Sequence, residues 1–177
     1  MLQLVKHPDP ILDESLPDFD FDNPVMSPHD LEEQMVKLMW ESNGIGLAAN
    51  QVGIRARVFT IMTRNLSGVT EPFAVFNPKI VAVSEELEQG EEGCLSFPNL
   101  YINVKRPFHV VAEFLDRDKN TCIIRFDGVD ARCFLHELDH LDGTCFVSKV
   151  SKLKLDMALK KQRKLNGRTK QRITASV

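Results

Sequence analysis

The stretch His136-Glu137-Leu138-Asp139-His140 decides what fold and site to expect, because it has the form H-E-x-x-H inside a segment that predicts a helix. Its two histidines are just over one helical turn apart, so both imidazoles point from one helix face. Two such nitrogens can bind a single divalent metal ion, with the glutamate beside the open coordination position as general base. A pair of surface histidines is the alternative, but the apolar neighbours favour a cleft: Val129, Phe134, Leu135, Leu138 and Leu141. The stretch therefore indicates a metal site of the kind that hydrolases use.

A third protein ligand should come from upstream of this helix. Catalytic sites of this type need three ligands and one position open to water. Phe146 stands where one peptidase class has a third histidine, and no Glu follows Glu137, which excludes a class that takes a later glutamate. Asp142 and Asp156 are weaker candidates downstream. The upstream candidates are cysteines.

Two of the four cysteines are plausible ligands. Cys133 shares the helix face, but it lies about 10 Å along the axis from His140 at 1.5 Å per residue, so we expect a pocket or core residue. Cys94 lies in Glu92-Gly93-Cys94-Leu95-Ser96, a glycine-containing loop that could approach the metal. A buried thiol is the alternative for Cys94. Spacing alone leaves this choice open.

The remaining patterns predict an α+β domain. A first helix should start at Ser27 as N-cap with Pro28 in its first turn and end near Asn43-Gly44. The second helix should run from about Gly128 to Leu141, and a basic third helix from about Ser148 to Leu165, before Asn166-Gly167. Strands grouped between helices argue against a doubly wound fold. The expected strands are Val58–Met62, Ala74–Phe76, Ile80–Val83, Tyr101–Val104, Val110–Phe114 and Cys122–Phe126, with a turn at Asn77-Pro78.

Charge is distributed unevenly along the 177 residues. From Lys149 onward there are ten Lys or Arg and one acid, a charge of +9, whereas the rest of the chain carries −12. A basic tail on an acidic body suggests contact with a polyanion, and a solvated terminal helix is the alternative. No apolar stretch is long enough for a membrane span, and the first residues do not resemble a secretion signal. The four cysteines, with no CxxC pair, are then expected as free thiols in a reducing compartment.

Three segments together resemble the peptide deformylases. They are Gly44-Ile45-Gly46-Leu47-Ala48-Ala49-Asn50-Gln51, then Glu92-Gly93-Cys94-Leu95-Ser96 with Phe97-Pro98, and the H-E-L-D-H stretch with Leu141 and Gly143. They occur in the family's order and at about its spacing, over residues 4 to 150. The expected architecture has small mixed or antiparallel β-sheets packed around a central HExxH helix, with an N-terminal helix and a C-terminal basic helix. We expect a catalytic domain at 1–150 and a basic helix or tail at 151–177.

The resemblance implies removal of the formyl group from the N-terminal methionine of new polypeptides. It implies one divalent ion, usually Fe²⁺ with Zn²⁺, Ni²⁺ or Co²⁺ as substitutes, and Glu137 as proton shuttle. It also assigns the other site residues. The implied ligands are Cys94, His136 and His140; the oxyanion donors are the Gln51 amide and the Leu95 N–H; the substrate-binding residues are Gly44, Ile45, Gly46, Arg132 and Cys133.

Some positions depart from the family's usual pattern. Leu135 replaces a common Gln before the first histidine, and Arg132 stands where many bacterial members line the methionine pocket with an apolar residue. The sequence is more similar to the plastid-type, or 1B, branch at Ala131-Arg132 and at Phe97-Pro98 with Tyr101.

Two alternatives to a deformylase stay open: an HExxH metallopeptidase, and an inactive ribosome-associated binding module.

The resemblance also implies partners and a location. The partners are N-formylmethionyl nascent peptides and, through the basic tail, the ribosome. A monomer without membrane contact is expected, in the cytoplasm, or in the host cytoplasm or organelle stroma if the source is viral or organellar.

Overall fold

The computed structural model describes the backbone of residues 2–64 and 71–174, with side chains described up to residue 166. Within these ranges the chain forms three α-helices and seven strands. The helices are α1 (Pro28–Glu41), α2 (Gly128–Leu141) and α3 (Lys152–Thr174). The strands are β1 (Gly46–Ala48), β2 (Val58–Ile61), β3 (Phe73–Val83), β4 (Leu87–Cys94), β5 (Phe97–Pro107), β6 (His109–Leu115) and β7 (Thr121–Asp127). The predicted α+β class is confirmed.

The strands form two antiparallel sheets. Five strands pair in the order β1-β2-β3-β6-β7, and β4 and β5 form a separate two-stranded sheet. β1 is therefore an edge strand of the larger sheet, and one side of its backbone is free of strand partners among the described residues. An edge of this kind can pair with an extended peptide.

Helix α2 lies between the two sheets, as the resemblance to the peptide deformylases implied. Phe134 is fully buried on its sheet-facing side. The Phe134 ring packs edge-on against Phe59 of β2 at 5.1 Å and stacks on Phe126 of β7 at 4.9 Å, between ring centroids. The opposite side of α2 carries Arg132 and His136, which contact the β4–β5 sheet. The helix therefore presents its polar residues to the smaller sheet.

Helix α1 starts and ends where the sequence predicts. The Ser27 hydroxyl accepts a hydrogen bond from the Asp30 N–H, and Pro28 occupies the first turn. Three residues at helical spacing, Leu31, Met35 and Met39, are fully buried against the larger sheet. This stripe is the apolar face of an amphipathic helix.

The predicted turn at Asn77-Pro78 is wrong. Both residues belong to one continuous strand, β3, whose pairing with β6 shifts register between Phe76 and Lys79. Asn77 has a positive φ of 51°, and its side chain bonds both the N–H and the C=O of Phe19. A bulge therefore replaces the turn, because Asn tolerates this conformation and its side chain is anchored by the Phe19 backbone.

The third helix begins later and continues further than predicted. A 3₁₀ turn at Phe146–Lys149 precedes it, and α3 runs through Asn166-Gly167 to Thr174. Glycine inside a helix costs only about 1 kcal/mol, which the neighbouring turns can offset. Leu155, Ala158 and Leu159 pack against the β5 side chains. Across the described residues no helix has the length and apolar character that crossing a membrane requires.

Candidate metal centre and active site

Three possible metal donors meet between α2 and the end of β4. His140 is fully buried, His136 nearly so, and Cys94 is half-buried. The Cys94 Sγ lies 3.2 Å from His140 Nε2. One donor atom from each of the three residues lies within 4.8 Å of the other two. No other residue set of this kind occurs in the part of the chain that the structure describes.

Cys94 is the last residue of a strand rather than part of a free loop. It pairs with Phe97 across the tight turn that joins β4 to β5. The β4 strand was missed because it is acidic, mostly exposed and contains two glycines, so its hydrophobic pattern is weak. The hairpin fixes the thiol against the helix more firmly than a loop would.

A buried ion pair orients the His136 ring through its Nδ1 atom. The His136 Nδ1 lies 2.9 Å from Glu92 Oε2, which leaves Nε2 for a metal. Arg106 donates from Nε and Nη2 to both oxygens of Glu92, and from Nη1 to Asp139 at 2.6 Å. Burial acts to raise the pKa of Glu92, but hydrogen bonds from Arg106 and His136 outweigh it and lower that pKa to about 2. Glu92 therefore stays an anion and acceptor.

The two histidines differ in their environments. Burial disfavours the charged form of His136, yet hydrogen bonds to Cys94 and Glu92 outweigh burial and raise its pKa to about 10. Burial, then the charges of His136 and Arg106, hold the pKa of His140 well below its usual value. His140 is therefore a neutral imidazole, the form that binds metal, and a metal ion bound at His136 would take the place of the proton on that ring.

Glu137 has the properties of a proton shuttle. It is 4% exposed, and its Oε2 has no hydrogen-bond partner among the described residues. Burial raises the pKa of Glu137 to about 7, with a further contribution from the charge of Glu92. A carboxyl group that titrates near neutrality can both take and give a proton. Glycine is required at Gly46, because a Cβ there would overlap the Glu137 carboxylate and the Cys133 sulfur.

Gln51 lies beside the thiol on a 3₁₀ turn at Ala49–Val52. Its Oε1 accepts a hydrogen bond from the Ala48 N–H at 2.8 Å, which fixes the amide orientation. The Nε2 group then donates to Cys94 Sγ at 3.3 Å and to Ser96 Oγ at 3.1 Å. The amide donor therefore points into the site.

A cavity of about 840 Å³ opens in front of these groups. One wall is the β1 edge with Gly44, Ile45 and Gly46, and the opposite wall is β4 with the turn at Leu95. Arg132 and Cys133 belong to the lining, although their polar atoms are already engaged. The Arg132 guanidinium donates to strand carbonyls and Glu92, and the Cys133 thiol donates to the Ile45 C=O at 3.4 Å.

Some residues of the site carry weak sequence signals. Asp139 is an unspecified position of the H-E-x-x-H pattern, yet it binds Arg106 and Lys149. Asn50 is fully buried, and its amide donates to the His140 C=O at 2.7 Å. Lys6 donates to the Leu95 C=O from the N-terminal segment. Glu92 could have been found from its position two residues before Cys94, because alternate strand residues share a face.

The donor set fits a divalent metal ion. One thiolate and two imidazoles are typical of tetrahedral sites that keep a fourth position open. The unpartnered Glu137 oxygen in the same cavity agrees with a site that operates on water.

Known proteins with similar sequences and structures are peptide deformylases. Residues 1–156 match the family described as polypeptide deformylase. The peptide deformylase of Mesorhizobium japonicum is 39% identical over 163 residues, 92% of this chain and 91% of that protein. A plant type 1B peptide deformylase superposes with a TM-score of 0.82 at 31% identity, covering 97% of this chain and 92% of that one. The class I type b enzyme of Acinetobacter baumannii with Met-Ala-Ser bound has a TM-score of 0.78 at 31% identity, covering 84% and 98%.

Fold and donor set together define a metal-dependent hydrolase. The sequence match then fixes the group within that class. The chain belongs to the peptide deformylase family, as its three sequence segments predicted. Its reaction is the hydrolytic removal of the formyl group from the N-terminal methionine of new polypeptides.

Proposed function

We propose that Cys94, His136 and His140 hold one divalent metal ion at which this chain deformylates peptides. The observation that carries the proposal is the convergence of these three donors within 4.8 Å beside Glu137, whose Oε2 has no hydrogen-bond partner in the described part of the chain. We further propose Fe²⁺ as the native ion, with Zn²⁺, Ni²⁺ or Co²⁺ as substitutes. Sulfur and imidazole donors accept all four ions, and the family resemblance favours Fe²⁺.

Glu137 moves the proton in this proposal. The bound ion supplies Lewis acidity, which acidifies water and polarises a carbonyl oxygen. The Glu137 carboxylate removes a proton from the attacking water, whose oxygen forms the new bond to the formyl carbon. Glu137 then gives that proton to the methionine nitrogen as the C–N bond breaks. Formate and a free amino terminus result.

The negative charge that develops on the formyl oxygen needs hydrogen-bond donors. The Ala48 N–H donates to Gln51 Oε1 and so fixes the orientation of the amide. The Nε2 group at the other side of the amide therefore needs little reorganisation to donate to the formyl oxygen. We assign the Leu95 backbone N–H as the second donor. Lys6 and the β4–β5 turn hold this residue beside Cys94.

The cavity walls accommodate an extended peptide. We propose that the peptide backbone pairs with Gly44, Ile45 and Gly46 along the β1 edge. The stem of Arg132 and Cys133 contact the methionine side chain from α2, since both residues line the cavity. The Met-Ala-Ser bound to the Acinetobacter baumannii enzyme is a short peptide that begins with methionine.

We propose that the chain divides by role into a catalytic part, residues 1–150, and a basic helix or tail at 151–177. We propose that the exposed lysines of α3 contact ribosomal RNA, which would bring the enzyme to nascent chains. We further propose a monomer as the active unit. We propose that the enzyme acts where ribosomes initiate translation with formylmethionine, in a bacterial or host cytoplasm or an organelle stroma.

Formate release tests the proposed function directly. The protein is purified with Fe²⁺ without oxygen and incubated with formyl-Met-Ala-Ser, and formate is measured. We expect formate from the wild type and from Cys122→Ala, a cysteine control on β7, but none from Cys94→Ala. Cleavage of an internal peptide bond without formate would favour the metallopeptidase alternative and contradict the proposal.

A further inference from the structure

The Arg132 side chain connects the helix that carries the histidines to the strands that carry the cysteine. It lies one helical turn before His136 and is 9% exposed. Its guanidinium donates to the Glu88 C=O at 2.8 Å and the Gly90 C=O at 3.3 Å on β4, and to the Val104 C=O at 2.9 Å on β5. One side chain of α2 thus binds both strands of the hairpin.

The same guanidinium also binds the carboxylate that orients His136. Arg132 Nη1 lies 2.9 Å from Glu92 Oε1, while Glu92 Oε2 accepts from His136 Nδ1. A lysine could not reach this set of acceptors, since it has a single nitrogen and no planar fork. Arg132 is therefore suited to a geometric role that depends on the guanidinium.

The β4 backbone is shaped to receive this group. A Cβ at Gly90 would lie 2.8 Å from the Arg132 Cζ and Nε atoms and 2.9 Å from Nη2. Gly90 has no positive φ that would itself require glycine. The glycine is therefore explained by the close approach of the guanidinium.

We infer that Arg132 is a positioning residue for the metal centre, which holds Cys94 and His136 at the separation that one ion requires. This inference rests on the proposed metal ligands. It adds a second role to the proposed contact between the Arg132 stem and the methionine side chain, because the charged end is bound to strand carbonyls and Glu92 rather than directed at the peptide.

Cobalt titration tests the inference on a property other than turnover. Metal-free wild type, Arg132→Met, Arg132→Lys and Gly90→Ala proteins are titrated with Co²⁺, and the thiolate-to-cobalt absorption gives Kd. We expect affinity to fall about 10- to 100-fold in Arg132→Met and to fall in Gly90→Ala, with Arg132→Lys in between. Arg125→Met, which removes an exposed arginine of β7, should bind as the wild type does.

Melting temperature and steady-state kinetics distinguish the positioning role from a purely stabilising role and from a substrate-binding role. A lower Tm with unchanged Co²⁺ affinity in both Arg132→Met and Gly90→Ala would overturn the inference, as would a raised KM with unchanged affinity. If Arg132→Met does not fold, the other two variants decide. A wild type that binds Co²⁺ but releases no formate would refute the proposed function and leave this inference standing.

Discussion

At the scale of single residues, the chemistry depends on one buried carboxyl group, that of Glu137, whose Oε2 has no hydrogen-bond partner among the residues that the structure describes. Glu137 is placed by α2 beside His136, and Gly46 leaves room for it on the opposite wall. Burial raises its pKa to about 7, so proton uptake and release are both accessible near neutral pH. The same burial makes the group sensitive to its neighbours' charges.

Glu137→Gln should separate metal binding from proton transfer. The amide has nearly the same shape but cannot shuttle a proton, so we expect the rate of formate release to fall by about 10²- to 10⁴-fold. Bound metal per chain, measured by elemental analysis, should stay at the wild-type level, because Glu137 is not one of the three donors. Wild-type turnover in this variant would show that another group carries the proton.

The histidines and Glu137 were predicted from one short pattern with a local geometric meaning, and the family resemblance then favoured the Cys94 thiol. The sequence did not predict how the residues that support them bind one another. Glu92, Arg106, Asp139 and Arg132 meet only after β4 and β5 fold onto α2, so their contacts depend on long-range pairing. Arg132 illustrates the limit: its position on the helix was predictable, but the direction of its guanidinium was not.

At the scale of elements, strongly periodic segments were predicted well. α2 has the predicted boundaries, and α1 carries its buried stripe. Two elements were mispredicted for physical reasons. β3 continues through Asn77-Pro78 because the Phe19 backbone anchors the Asn77 side chain at the bulge, and β4 lacks a hydrophobic pattern because most of its residues are exposed.

Docking of α2 on the larger sheet should depend on Phe134. Phe134→Ala removes the ring between Phe59 and Phe126, and we expect unfolding to become easier by about 3–5 kcal/mol. Urea denaturation measures the change. Val129→Ala on the same helix, 45% exposed in the folded chain, should change stability by less than about 0.5 kcal/mol. Equal losses in the two variants would contradict this packing.

At the scale of the whole molecule, charge separates the catalytic body from α3. The inner side of α3 is apolar and packs on β5, while Lys160, Lys161 and Lys164 are exposed. Removal of the start of α3 would therefore remove apolar contacts with β5. The lysines on the exposed side are accessible to a polyanion.

Replacing Lys160, Lys161 and Lys164 together by Gln should weaken ribosome binding at low salt. Each lost phosphate contact reduces the magnitude of the slope of log K against log salt by about 0.7–0.9, so the loss of three contacts should reduce it by about 2.1–2.7. Turnover of formyl-Met-Ala-Ser should not change. Gln at the exposed Lys37, Lys79 and Lys105 is the matched control. Equal ribosome binding by both triple variants would argue against a role for α3.

X-ray absorption of the Zn²⁺-loaded protein tests the metal centre most directly. We predict one sulfur at about 2.3 Å and two imidazole nitrogens at about 2.0–2.1 Å, with the sulfur lost in Cys94→Ala and retained in Cys122→Ala. A shell of nitrogen and oxygen alone in the wild type, or a sulfur that persists in Cys94→Ala, would contradict the assignment of Cys94, His136 and His140 as ligands.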